Sequence, residues 1–296
     1  MVRLALVGGA DIFHAIAFAA LLNERDEEGW KAAGHWDPGV PRLEGAQAVA
    51  IWDPDQEKAA RLASLVRGVE MVPERMEDVI GHVDGVVICD DVSQEHQRRC
   101  RPFLEAGLPT FCDKPLSRDA AEAEGIVALA RRHGAPFMSC SALRFARELA
   151  EMQEGLAEIG AIKTAHAVGP GELVFYGIHP CELACTVLGP GAESVHHVGD
   201  AEGHNVVRVR WADGKYLVLQ VFEDIGYTFQ ATFFGEKGFR HVAVGDAGVF
   251  YRNMLQHVVQ MVQTGEPPFP PEHTLEIIRI LAGAERSRDI GEPVSI

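Results

Sequence analysis

Leu4-Ala5-Leu6-Val7-Gly8-Gly9-Ala10-Asp11-Ile12-Phe13 is the stretch whose reading decides the fold. An apolar run suited to a strand buried on both faces breaks at paired glycines into a helical pattern near residues 11–23. The same rhythm recurs downstream. Ala48–Trp52, Gly85–Cys89, Thr110–Cys112 and Phe137–Cys140 read as further buried strands, with amphipathic helices near 55–66, 94–106 and 118–133 between them. Strand–helix alternation of this kind predicts an α/β chain with a doubly wound parallel sheet.

A dinucleotide site needs glycines after the first strand, for a tight turn and for close approach of backbone to pyrophosphate. Aligned on G-x-G-x-x-G, Gly8 fits the first position, Ala10 replaces the second glycine and Phe13 the third, so Gly8, Gly9, Ala10, Asp11, Ile12 and Phe13 form a partial match. Asp11 is expected to cap the helix with its side chain. That would put a carboxylate near the pyrophosphate, where two unit charges ~6 Å apart at an effective dielectric of ~20 repel by about 3 kcal/mol. Either the phosphates sit differently here, or affinity is reduced. The second strand ends in Trp52-Asp53-Pro54-Asp55. An acid at that point accepts from the adenosine ribose hydroxyls and favours NAD over NADP, the alternative being a turn or helix cap. Residues 24–46, with Trp30 and Trp36, read as a long polar connection, either a passive insertion or a lid or subunit contact.

After about residue 142 the texture changes, which predicts two domains, 1–142 and 143–296. A helix near 145–158 precedes period-two segments at Val206–Trp211, Tyr216–Phe222 and Tyr227–Phe234, with a turn at Gly235-Glu236-Lys237-Gly238. These read as an antiparallel sheet with one covered face. Two closing helices follow at Phe250–Gln263 and Thr274–Arg286, the first with Met254, Leu255, Val258, Val259 and Val262 on one stripe.

With 43 acidic against 27 basic residues, the 296-residue chain carries a formal charge of −16. Such a surface repels phosphate backbones and anionic lipid, so neither nucleic acid nor membrane is an expected partner. No apolar run approaches a membrane-spanning length, and the first residues lead straight into a strand rather than a signal peptide. Six cysteines scattered through apolar segments suit reduced thiols in a cytoplasm. His179, Cys181, Glu182 and Cys185 could be read as zinc ligands, but no paired C-x-x-C accompanies them and no metal is expected.

Two further clusters bear chemistry. Phe111-Cys112-Asp113-Lys114-Pro115 places an acid and a lysine at the carboxyl end of a strand, where open α/β sheets bind ligands. A lysine there can hold a polarised oxygen, or it can be a solvated turn residue. Phe175-Tyr176-Gly177-Ile178-His179-Pro180-Cys181-Glu182 opens an apolar helix on which His179 and Glu182, three apart, share a face. Glu182 could orient the imidazole or contact substrate hydroxyls.

Taken in order, these residues resemble the glucose–fructose oxidoreductase / inositol dehydrogenase / rhizopine-catabolism family. The resemblance runs from the initial strand–turn through Asp53-Pro54-Asp55 and Phe103-Leu104-Glu105-Ala106-Gly107 to Asp113-Lys114-Pro115, which matches E-K-P with Asp for Glu. It continues through Gly177-Ile178-His179-x-x-Glu182, similar to G-x-H-x-x-D, to Thr264-Gly265-Glu266-Pro267-Pro268. It implies an N-terminal Rossmann domain and a C-terminal α/β domain whose open, mostly antiparallel sheet forms a homo-oligomer interface in a dimer or tetramer. It also implies NAD(P)-dependent oxidation of sugars, cyclitols and related polyols. Lys114 would bridge substrate and nicotinamide ribose beside Asp113, and His179 would act as acid/base. His96 sits where the family often has a His. Asp90-Asp91 replace a cofactor-contacting turn, and Phe175 replaces a frequent catalytic-site Asp, for which Tyr176 could substitute as an O–H donor. The leading expectation is hydride transfer between NAD and a secondary alcohol. One alternative is a nucleotide- or metabolite-binding homologue that has lost the chemistry. Another is an imine or lactone reductase in which Arg144 holds a carboxylate, unless Arg144 is merely a surface ion pair.

Overall fold

The computed structural model describes residues 1–91, 93–199 and 201–296. They divide into two compact units, one formed by residues 1–116, 124–139 and 247–271, the other by 117–123, 140–246 and 272–296.

The first unit holds a parallel sheet of β1 (Val2–Val7), β2 (Ala46–Trp52), β3 (Gly85–Ile88), β4 (Thr110–Cys112) and β5 (Phe137–Met138), in the order β2-β1-β3-β4-β5. β3 and β5 stop one and two residues short of their expected ends, because the chain leaves the ladder there to build loops. The connecting helices are α1 (Phe13–Leu22), α2 (Glu27–Ala32), α3 (Gln56–Ser64), α4 (Ser93–Glu105) and α5 (Ala120–His133). In α1 every residue from Ala15 to Leu22 is buried, so the helix has no amphipathic stripe and must be covered all round. The cover is α8 (Ala247–Thr264), which packs on α1 and β1. Burying each large side chain of its stripe, Met254, Leu255, Val258 and Val259, is worth about 2 kcal/mol. A cut after residue 142 therefore does not describe these units: 247–271 join the parallel sheet, because that is where the stripe of α8 finds its partner.

The segment 24–46 is not an open connection, since it contains α2. Trp30 is buried there, its indole N–H donating to the Trp36 carbonyl at 2.9 Å. Trp36 itself packs on Phe13, ring centroids 5.1 Å apart.

The second unit contains α6 (Arg147–Glu154), β6 (Ile162–Pro170), α7 (Ile178–Leu188), β7 (Ala192–His197), β8 (His204–Trp211), β9 (Tyr216–Phe222), β10 (Phe229–Gly235), β11 (Phe239–Val244), α9 (Glu272–Ile290) and β12 (Val294–Ser295). Its seven strands run β11-β10-β6-β9-β8-β7-β12, antiparallel except for the β6–β9 pair. The hairpin at 235–238 is closed by Gly235 N–H donating to the Gly238 carbonyl at 2.8 Å. Along β9, buried Leu217, Leu219 and Val221 alternate with half-buried Val218, Gln220 and Phe222. Helices α7 and α9 cover the buried face.

Candidate functional site

In the first unit, the site is the rim formed by the carboxyl ends of the parallel strands. Gly8 and Gly9 both adopt positive φ, +81° and +64°. A Cβ on Gly8 would meet Asp90 Oδ2 at 2.3 Å, and one on Gly9 would meet Asp90 Cα at 3.0 Å. Only glycine fits both the dihedral and the approach to the end of β3. The next N–H, of Ala10, donates to Asp53 Oδ2 at 2.9 Å, while Asp53 Oδ1 accepts from Asp55 N–H at 2.8 Å. Asp53 thus ties the end of β2 to the glycine turn and is 4% exposed.

The expectation that Asp11 caps α1 is corrected. Ile12 is the cap residue, with no side-chain bond, and Asp11 instead pairs with Lys58 Nζ at 2.8 Å. The turn runs one residue further than a capping aspartate would allow, and a cation now sits beside the carboxylate that concerned the pyrophosphate. Phe13, at the third glycine position, begins the helix and is 44% exposed.

Asp90 at the end of β3 forms a buried ion pair with Arg99 Nε at 2.5 Å, and that guanidinium lies over the Trp52 ring at 5.3 Å. His96 is fully buried. Its Nε2 faces the Asp90 carbonyl at 2.8 Å and its Nδ1 the Leu116 carbonyl at 3.1 Å, so a neutral imidazole can donate to only one of them. His96 therefore braces the loop on which Lys114 stands. Lys114 is 4% exposed. Burial pulls its ammonium below the usual pKa, and the carboxylates of Asp113 and Asp91 oppose that pull.

Two residues not singled out from the sequence complete this rim. The His14 ring hydrogen-bonds Asp113 Oδ2 through Nδ1 and the Tyr251 hydroxyl through Nε2, the latter at 3.0 Å. A hydroxyl that donates to Nε2 and an Nδ1–H that donates to the carboxylate make a chain from Tyr251 to the neighbour of Lys114. A histidine directly after the altered glycine turn was a readable signal for His14. Nothing in the sequence joined Tyr251 to it.

The second unit carries the other cluster. Glu172 Oε2 accepts from Phe175 N–H at 2.8 Å, shaping the turn that ends at Tyr176 and Gly177, and α7 begins at Ile178. His179 is 7% exposed. Its ring lies 4.9 Å from Phe229 and 6.0 Å from Tyr176, centroid to centroid. Its Nδ1 is 2.7 Å from Ser141 Oγ. Glu182 is buried and engaged twice: Oε1 accepts from Arg144 Nε at 2.5 Å, and Oε2 from Ser141 N–H at 3.3 Å. Arg144 is accordingly no surface ion pair. Burial works against its charge, but Glu182 more than offsets this and holds its pKa above the ordinary value. Lys114, Asp113, Asp90, His96 and Asp53 thus share the first unit, and His179, Tyr176, Glu182 and Arg144 the second.

All six cysteines are buried and free. Among the described residues, no group of three or more His, Cys, Asp or Glu is placed to hold a metal ion, and no helix is long and apolar enough to cross a membrane.

Comparison with known proteins adds to this geometry. Residues 3–140 match the model of an oxidoreductase family with an NAD-binding Rossmann fold. Inositol 2-dehydrogenase 4 of Saccharopolyspora erythraea is 27% identical over 178 residues, 60% of this chain and 49% of that one. Inositol 2-dehydrogenase of Corynebacterium glutamicum is 36% identical over 118 residues, covering 39% and 34%. In the first of these alignments the chain spans about half the length of the relative, 49%. Among solved structures, the myo-inositol dehydrogenase of Lactobacillus casei in complex with NAD(H) and myo-inositol superposes with a TM-score of 0.80 at 18% identity, covering 100% of this chain and 97% of that one. GenD2 from gentamicin A biosynthesis, in complex with NAD, gives 0.81 at 18%, covering 100% and 96%.

Proposed function

We propose that this chain, whose residues 3–140 match the model of an oxidoreductase family with an NAD-binding Rossmann fold, transfers a hydride between NAD and a secondary alcohol of a sugar, cyclitol or related polyol. The observation that carries the reading is a lysine buried at the carboxyl end of β4. It stands in the same unit as a glycine turn whose cradle a Cβ would fill. That turn fits a pyrophosphate, and Asp53 at the end of β2 fits the adenosine ribose, which favours NAD over NADP.

A bound nicotinamide supplies the hydride acceptor. The chain's own residues handle charge and protons. The Lys114 ammonium stabilises negative charge developing on the substrate oxygen, in a dry setting where such a charge counts for more than in water. His179 takes the hydroxyl proton on Nε2, since Nδ1 is already bonded to Ser141. Tyr176 offers an O–H donor close to that ring. The names of the curated relatives support a cyclitol as first substrate to try. The half-buried face of the seven-stranded sheet is the proposed homo-oligomer contact, and six free thiols suit a cytoplasm.

The test is a fluorescence titration of cofactor-stripped protein with NADH and then NADPH, followed by NAD reduction across a polyol panel with wild type, Lys114→Ala and His179→Ala. Micromolar NADH affinity and turnover lost in both variants is the expected result. Full turnover in either variant would remove that residue from the mechanism. The second reading, a binding homologue without hydride chemistry, draws on Asp53: its Oδ2 already accepts the Ala10 N–H. Ligand binding without turnover on any polyol would favour it.

A further inference from the structure

We infer that Ser141 is a positioning residue for His179. Its hydroxyl accepts Nδ1–H, fixes the imidazole in the tautomer with Nε2 unprotonated, and does so without placing a charge behind the ring. Its meaning in catalysis rests on the dehydrogenase reading above.

Ser141 is fully buried and caps a short 3-10 turn (Ala142–Phe145) that follows the last parallel strand. Its Oγ is 2.7 Å from His179 Nδ1 and also accepts Leu143 N–H at 3.3 Å. Its backbone N–H donates to Glu182 Oε2 at 3.3 Å, and Arg144 of the same turn holds Glu182 Oε1. Turn and helix α7 are therefore joined at three points: the serine hydroxyl, the serine amide and the arginine. Phe229 of β10 and Tyr176 wall the ring on other sides. A ring gripped at Nδ1 presents Nε2 as its proton-exchanging nitrogen.

A hydroxyl carries two acceptor lone pairs, and Leu143 uses one of them. The inferred arrangement gives the other to Nδ1–H; the reverse, Oγ–H donating to Nδ1 with the ring proton on Nε2, has the same heavy-atom distance and is the arrangement that the tautomer measurement tells apart. In alcohol oxidation the hydroxyl proton moves to the Nε2 lone pair, while the C–H electron pair leaves with its hydrogen for the oxidised nicotinamide. The imidazolium so formed gives its Nε2 proton to water. In the reverse direction the same proton returns to the carbonyl oxygen. A carboxylate behind Nδ1 would stabilise the imidazolium and make it a poorer acid. Glu182, which could have done so from the same helix, is held by Arg144 instead. Tyr176 is a titratable group beside the ring, 6.0 Å between centroids. The Arg144–Glu182 pair belongs to the same turn and helix, and His273, whose own pKa is lowered by burial and by Arg144, against Glu182 and Glu276, senses that pair.

The experiment is 15N NMR of histidine-labelled protein across neutral pH, with His179→Gln identifying the signal among the 13 histidines. Wild type, Ser141→Ala and Ser141→Thr are compared, together with turnover. Free imidazole side chains favour the Nε2–H form, so the expected result is a wild-type His179 in the Nδ1–H form and a shift toward Nε2–H in Ser141→Ala. Ser141→Thr, which keeps the hydroxyl, restores the wild-type signature. Turnover of Ser141→Ala falls about 10-fold in kcat with KM little changed, the size of one lost hydrogen bond. A wild-type ring in the Nε2–H form, or a tautomer unmoved by Ser141→Ala, overturns the inference. If the tautomer moves as expected but wild type oxidises no polyol, Ser141 keeps its positioning role and the dehydrogenase reading fails by itself.

Discussion

The carboxylate of Asp53 accepts the backbone N–H of Ala10 at 2.9 Å, across 43 positions of sequence. The bond joins the acid at the end of β2 to the turn after β1, so the residue expected to read a ribose is also a strut of the turn expected to cradle a pyrophosphate. Cofactor affinity and turn geometry are thereby coupled through one side chain.

Asp53→Ala should therefore cost on two counts. With Ala10 also buried, its N–H loses its partner, and stability falls by about 2 kcal/mol. NADH affinity drops and the preference over NADPH narrows. Urea unfolding and a pair of fluorescence titrations check both. Loss of stability with unchanged cofactor preference would leave Asp53 as a strut alone.

Lys114 gives a pH prediction with a definite sign. Burial lowers its folded-state pKa from the ordinary 10.5, so between the two values the unfolded chain binds more protons than the folded one. Stability due to this group then rises with pH through that window and is flat above it. Lys114→Met should be more stable than wild type at neutral pH, with the gap closing as pH approaches 10.5. Thermal unfolding at several pH values measures the gap. A gap that widened with pH would reverse the assignment.

His14 and Tyr251 should behave as one unit. Tyr251→Phe removes the hydroxyl bond to the His14 ring, at a cost of about 1 kcal/mol. His14→Ala leaves the buried Asp113 carboxylate without that donor and costs about 2 kcal/mol. The double variant should cost less than the sum of the two, because each single variant already removes the Tyr251–His14 hydrogen bond. Strict additivity in a double-mutant cycle would break the chain.

Breaking the Arg144–Glu182 pair from one side is expected to be severe. Arg144→Ala leaves Glu182, whose side chain is 1% exposed, without its buried cation and costs about 3–5 kcal/mol. Replacing both by Met and Leu should recover most of that, since the desolvation of both charges is then removed as well. The pairwise comparison in urea decides it.

Much of the fold was legible in the chain because it rests on local patterns. Apolar runs broken by Gly8-Gly9 and Asp113-Lys114-Pro115 mark strands that must be buried on both faces, and Tyr216–Phe222 alternates at a period that only a one-faced sheet satisfies. Lys114 and His179 stood out for the same reason, as polar residues at the edges of apolar elements. The helix inside 24–46 was less visible, as was the early end of β5 at Met138. Short elements owe their conformation to neighbours more than to their own sequence.

Sequence alone thus determined the alternating sheet, the family likeness and the chemistry-bearing residue types, because periodicity and turn chemistry act over a few residues. Tertiary structure decided the partners. It paired Asp11 with Lys58 rather than with a helix end, gave Glu182 to Arg144, set Ser141 behind His179, and brought Tyr251 of α8 back to His14. Hydrogen bonds and buried ion pairs join whatever the folded chain brings within about 3 Å, and no local pattern records that distance.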